Sequence, residues 1–98
     1  MVLGRIAGTV VATRKEDRLS GLKLLVVEVL KIDRTPSGAF VVAADAVGAG
    51  AGEVVLLAQG SSARLTDTTK DKPVDAVVMA IVDAIDLDSD ARRSKGAS

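Results

Sequence analysis

Apolar and polar residues along this chain sort into short runs that suit strands better than helices. Val2 to Thr13 alternates: Val2, Ile6 and Val10 share one face and Arg5, Thr9 and Thr13 the other, as the two-residue period of a strand requires. Gly4 and Gly8 fall on the apolar face, where a barrel wall needs a bend or a close backbone approach. After a charged loop at Arg14–Gly21, Leu22 to Leu30 is apolar except for Lys23 and Glu28, which fall on opposite faces. Neither face of that strand is a clean solvent face, so it reads as covered on both sides. Lys31–Gly38 holds Asp33, Pro36, Ser37 and Gly38 and predicts a turn.

The second half follows the same rhythm. Ala39–Val47 predicts a third strand and Gly48–Gly52 a turn. Glu53–Gln59 predicts a fourth strand, with Val54, Leu56 and Ala58 on one face and Val55 and Leu57 on the other. Ser61 or Ser62 is placed to cap a short helix running to about Leu65. Thr66–Pro73 is a polar, charged loop. Val74–Leu87 fits two patterns: as a helix it gathers Asp75, Asp83 and Asp86 on one side, and as a strand it is apolar on both faces from Val77 to Val82. Its valine and isoleucine content favours the strand. Asp88–Ser98 is polar, basic towards its end, and reads as a frayed tail.

Five short strands, one short helix and no internal repeat predict an all-β fold, a small five-stranded barrel over residues 1–87 with a tail at 88–98. The 98 residues suffice for one domain and are too few for two. Hydrophobic residues make up 48% of them, more than the core of so small a barrel absorbs. At about 25 cal/mol per Å² of apolar surface, two or three wet strand faces cost several kcal/mol, comparable to the whole stability of a domain. A homo-oligomer with broad sheet-side interfaces is therefore expected.

Composition narrows the chemistry. With no cysteine and no histidine, disulfides, thiolate or imidazole metal sites and every nucleophile–histidine pair are excluded. Thirteen basic residues balance thirteen acidic ones, so no field over the whole surface attracts a polyanion. No run approaches the roughly 20 apolar residues of a spanning helix, and no secretion signal is visible, which makes the cytoplasm the expected compartment and a membrane an unexpected one.

Several motifs imitate functional sites. Gly48, Gly50 and Gly52 suggest a phosphate-cradling loop, but a strand follows instead of a helix and no Lys-Ser/Thr is present; an inter-strand turn needing positive φ fits better. Gly60-Ser61-Ser62-Ala63-Arg64 suggests a serine nucleophile without a base. Were five such segments to meet on a symmetry axis, Gly60, Ser61 and Ser62 would make a ring of hydroxyls and amides around a small pore. Asp86-x-Asp88-x-Asp90 starts like a calcium loop, but Ala91 and Ala97 stand where glycine and glutamate are needed. Asp45, Glu53 and Asp83 could pair for glycoside chemistry, yet Phe40 is the only aromatic platform. Pairing of these acids with Arg5 or Arg64, between strands or subunits, fits better; Asp45, Glu53, Arg64 and Asp83 are the candidate interface residues. A five-stranded barrel with a helix also describes the OB-fold, which often binds single-stranded nucleic acid. That activity needs stacking aromatics and a basic groove, so a single-stranded nucleic-acid-binding module is the alternative reading and no nucleic-acid partner is expected.

Taken in order, V-L-G-R-I-A-G-T-V-V-A-T, S-G-L-K-L-L-V-V, D-A-V-G-A-G-A-G-E-V-V-L, G-S-S-A-R, K-P-V-D-A-V-V and I-V-D resemble the bacterial microcompartment vertex proteins, the pentameric family of carboxysome and ethanolamine- or propanediol-type shells. The resemblance covers roughly Met1 to Asp86 and rests on the ordered set. It implies an OB-like β-barrel that assembles as a cyclic homopentamer, without enzymatic activity or cofactor. Such a ring plugs the fivefold vertices of a shell otherwise tiled by hexameric shell proteins. The loops at Arg14–Gly21, Lys31–Gly38 and Thr66–Pro73 are then candidates for contacts with hexamers. Members of the family usually carry glycine where Ala80 stands.

Overall fold

A computed structural model describes residues 1–87. The expected tail, with Asp88 and Asp90, lies outside the described residues. Five strands, β1 (Val2–Val10), β2 (Leu24–Leu30), β3 (Pro36–Asp45), β4 (Val54–Gln59) and β5 (Ala76–Ile81), close into a barrel in the order β1-β2-β3-β5-β4. All neighbours are antiparallel except β3 and β5, which touch as a short parallel pair, Ala44 opposite Val77 and Asp45 opposite Val78. Two short 3-10 turns complete the fold, Asp17–Leu19 and Gly60–Arg64.

The barrel interior takes one side chain in two from each strand. Ile6, Leu25, Val27, Ala43, Val55, Leu57 and Val78 meet there. A second apolar cluster lies outside the wall, where Leu22, Ala44, Ala58, Ala63 and Val77 pack beneath the loops. Val77 and Val78 are adjacent and both fully buried, so β5 is covered on both faces. This resolves the ambiguity of Val74–Leu87 in favour of a strand, shorter than the apolar run. It also shows that part of the second strand face is sheltered by the chain's own loops.

The two glycines of β1 do different work. A Cβ on Gly4 would run into Cγ1 of Val27 across the barrel wall, so the close approach of β1 to β2 depends on its absence. Gly8 has open space around it and follows the point where the β1–β2 register slips, between Ile6 and Gly8. That irregularity lets β1 bend.

Strand ends follow their partners more than the hydropathy. β1 stops at Val10, not Thr13, because its partner β2 begins at Leu24, opposite Val10. Leu22 is not in a strand: its N–H donates to the carbonyl of Leu19 at 3.1 Å, and its side chain covers the outer cluster. β3 begins at Pro36, three residues ahead of the expected Ala39, since Leu30 pairs with Pro36 and the Ser37 hydroxyl donates to the carbonyl of Val29 at 2.6 Å. The turn between them is accordingly shorter, with the Lys31 N–H donating to Thr35 O at 2.8 Å.

Candidate functional site

The Gly60–Arg64 turn joins the end of β4 to the loop before β5. Gly60 has φ of 67°, a left-handed value that suits glycine, and its N–H donates to the carbonyl of Asp75 at 2.8 Å. The expected serine cap is not made: the capping position is Gln59, whose side chain makes no capping bond, and Ser61 and Ser62 stand inside the turn. Tertiary contacts hold it instead. Ala63 is fully buried in the outer cluster, and the buried Thr69 hydroxyl donates to the Ala63 carbonyl at 2.6 Å. The Thr66 and Thr69 hydroxyls lie 2.6 Å apart, and Thr66 Oγ1 also accepts from the Thr69 N–H at 3.0 Å. Ser61, Ser62 and Arg64 are thus presented to solvent on a pinned turn. Ser61 and Arg64 line one polar depression of about 580 Å³ with Arg18, Asp71 and Lys72.

The glycine turn is built by two of the candidate acids. Asp45 Oδ1 accepts from the N–H groups of Val47 and Gly48, each at 3.0 Å, and both its oxygens accept from Ala49. This local anion nest stops β3 at Asp45. Glu53 Oε1 accepts from the Gly50 N–H at 2.5 Å at the other end of the turn. Gly48 and Gly52 take positive φ, 76° and 81°, while Gly50 lies against the Glu53 carboxylate. Gly52 N–H donates to Ile6 O at 2.9 Å and Ile6 N–H to Glu53 O at 3.0 Å, tying the turn to β1.

These contacts redirect the expected ion pairs. Within the chain Asp45 and Glu53 are engaged by backbone N–H groups, and Arg5 stands directly opposite Glu28 in the β1–β2 register. Asp83 is exposed just past β5, next to Val82, whose N–H donates to Val54 O at 2.8 Å. Among the described residues no group of three or more acidic side chains is placed to hold a metal ion. No described helix is long and apolar enough to cross a membrane.

The outer wall carries the rest of the site. Leu30, Leu3 and Leu56 stand side by side across β2, β1 and β4, on the face away from the barrel interior. With Met1, Ile32, Val82 and Ile85 they line an apolar groove of about 450 Å³. Further round the wall, Phe40 and Val42 project from β3 at 58% and 50% exposure, paired with Glu28 and Val26 of β2. Sequence reasoning missed the leucine row because Leu3 reads as a stray apolar residue on the polar face of β1. The Thr66–Thr69 latch was hidden in a loop whose composition is merely polar.

Comparison with known proteins decides the family. The family model described as "Ethanolamine utilisation protein EutN/carboxysome" matches residues 1–83. The chain belongs to the EutN/CcmL family. It is 46% identical over 89 residues to the carboxysome shell vertex protein CcmL of Thermosynechococcus vestitus, covering 91% of this chain and 90% of that protein. It is 46% identical over 86 residues to the bacterial microcompartment shell vertex protein GrpN of Rhodospirillum rubrum, covering 88% of this chain and 97% of that protein. The solved structure of GrpN, described as a pentameric microcompartment shell protein, superposes with a TM-score of 0.81 at 44% identity, covering 91% of this chain and all of that one. The EutN/CcmL assignment takes in the glycine turn, the Gly60–Arg64 turn and the apolar outer wall, all within the matched residues. At Ala80, where the resemblance leads one to expect glycine, the side chain is half-buried opposite Leu56, beside the register slip between Leu56 and Leu57.

Proposed function

We propose that this chain is a structural shell protein whose five copies close into a ring and cap the fivefold vertices of a bacterial microcompartment. The observation that carries this reading is membership of the EutN/CcmL family across residues 1–83, with close relatives named shell vertex proteins and GrpN described as pentameric. The physics agrees with it: the barrel buries one face of its strands and leaves apolar side chains on the outer wall, which a ring of copies can cover. The work is geometric, not catalytic. A five-membered piece in a layer of hexamers introduces the curvature that closes the layer.

In this reading residues 1–87 are the shell domain and 88–98 an appendage. Gly60, Ser61 and Ser62 form the axial ring, five short turns with exposed hydroxyls around a narrow opening. Asp45, Glu53, Arg64 and Asp83 lie at or near subunit contacts; Asp45 and Glu53 act there through the turn they shape. The loops at Arg14–Gly21, Lys31–Gly38 and Thr66–Pro73 reach the hexameric shell proteins that tile the facets.

The test is shell closure. Hexameric shell proteins co-produced with this chain should give closed polyhedral particles in electron micrographs, and without it open or elongated ones. Sealed, regular shells formed without it and without a paralogue would refute the vertex role.

A further inference from the structure

The polar depression of about 580 Å³ beside the Gly60–Arg64 turn takes charged side chains from three segments. Arg18 comes from the loop before β2, Arg64 from the turn itself, and Asp71 and Lys72 from the loop before β5. A volume of that order holds a small organic molecule and not only a bare ion. Three of these four charges are positive. Arg64 makes no ion pair among the described residues. Arg18 gives only its Nε to Glu16, at 2.8 Å, and its two terminal nitrogens carry no hydrogen bond among the described residues. The Glu16 carboxyl, held low by the Arg18 hydrogen bond above all and least by the Lys72 ammonium, offsets part of the positive charge.

Packing fixes where the cations stand. Leu19, next to Arg18, and Val74, two residues past Lys72, pack against the outer apolar cluster, and Ala63, next to Arg64, belongs to it. Thr69 ties two of these segments together. Its hydroxyl donates to the Ala63 carbonyl at 2.6 Å, and its own carbonyl accepts from the Lys72 N–H at 2.9 Å. Asp71 holds φ of 59°, a left-handed value that aspartate tolerates better than most residues. Much of the ordering that a ligand would otherwise have to impose on these loops is already present.

We infer that this depression binds a small phosphate monoester carrying hydroxyl groups, one per chain. The guanidinium forks of Arg18 and Arg64 match phosphate oxygens, and Lys72 adds a point charge. Asp71 opposes a bare polyanion and accepts from a hydroxyl on the carbon part of the ligand, so it selects the ester over free phosphate. The site is complete within one chain and stands apart from the ring reading: each holds or fails without the other.

Amide NMR titration of the full chain tests it, with glycerol 3-phosphate and inorganic phosphate as probes at a pH where both are dianions. Sodium chloride keeps the ionic strength constant, so that general screening does not change. Glycerol 3-phosphate should give saturable shifts at Arg18, Ser61–Leu65 and Lys72, and should bind more tightly than inorganic phosphate. Arg64→Gln should weaken binding about tenfold, the loss of one charge-assisted contact. Lys72→Gln, outside the pinned turn, should weaken it in the same direction. Asp71→Asn should erase the preference for the ester, and Thr69→Val, which changes no charge, should weaken binding several-fold. Circular dichroism shows which variants remain folded, and affinities are compared among those. Shifts that stay linear or spread over the surface lysines, equal affinity for the two probes, or affinities untouched by Arg64→Gln and Lys72→Gln would overturn the inference.

Discussion

The carboxylate of Asp45 accepts from the backbone N–H of Ala49 through both its oxygens, at 3.3 and 3.1 Å. With Val47 and Gly48 also donating to Oδ1, one side chain at the end of β3 organises the entry to the glycine turn. Hydrogen bonds to a charged acceptor are each worth more than neutral ones, though partial exposure reduces the sum. Asp45→Ala should therefore destabilise the protein by about 2 kcal/mol, and Asp45→Asn by about half of that. Denaturant unfolding at fixed protein concentration measures both; an alanine variant as stable as the parent would contradict this account of the turn.

Gly4 leaves no room for a side chain beside Val27. Gly4→Ala places a methyl where Cγ1 of Val27 already sits, and should cost about 1–3 kcal/mol as overpacking. Adding Val27→Ala should relieve the clash, so that the double variant is more stable than the two single losses summed. Simple additivity would show that Gly4 is not held there by Val27.

The fold was legible where side chains alternate and illegible where position depends on a partner. Five strands, their order along the chain and the two-sided burial of Val77 and Val78 followed from the pattern. Their ends did not: Val10 and Pro36 become termini through pairing with Leu24 and Leu30, residues distant in sequence. The candidate site divided in the same way. Glycine at positions 48 and 52 could be tied to positive φ from composition, whereas the bonds from Asp45 and Glu53 to that turn emerge only once the backbone folds back on them. Ser61 and Ser62 looked like caps because serine commonly caps; the turn is pinned by Ala63 and Thr69 instead.

Thr69 gives the third prediction. Thr69→Val keeps the shape and removes the hydroxyl, leaving the Ala63 carbonyl and the Thr66 hydroxyl without this partner. The loss should be about 1–3 kcal/mol. Hydrogen exchange should quicken at Ala63–Leu65, next to the proposed axial ring, before it quickens in the strands. Unchanged exchange across the turn would remove the latch.

Glu16 carries a pH signature. The side-chain hydrogen bond from Arg18 Nε, 2.8 Å from Oε1, holds its carboxyl below the usual glutamate value of 4.5. A depressed folded value means that the contribution is present above about pH 4.5 and is lost as pH falls through the lower folded value. The carboxyl is exposed, so the effect on global stability should be slight. An NMR titration of the side-chain carboxyl should show a midpoint below that of Glu16 in an Arg18→Ala variant; identical midpoints would contradict the assignment.

The central claim is that the barrel leaves too much apolar wall uncovered to stand alone, and that five copies cover it for one another. Native mass spectrometry of the unaltered chain at micromolar concentration tests this most directly. A dominant species of five subunits is the expected result; a stable monomer, or a ring of any other number, would contradict it.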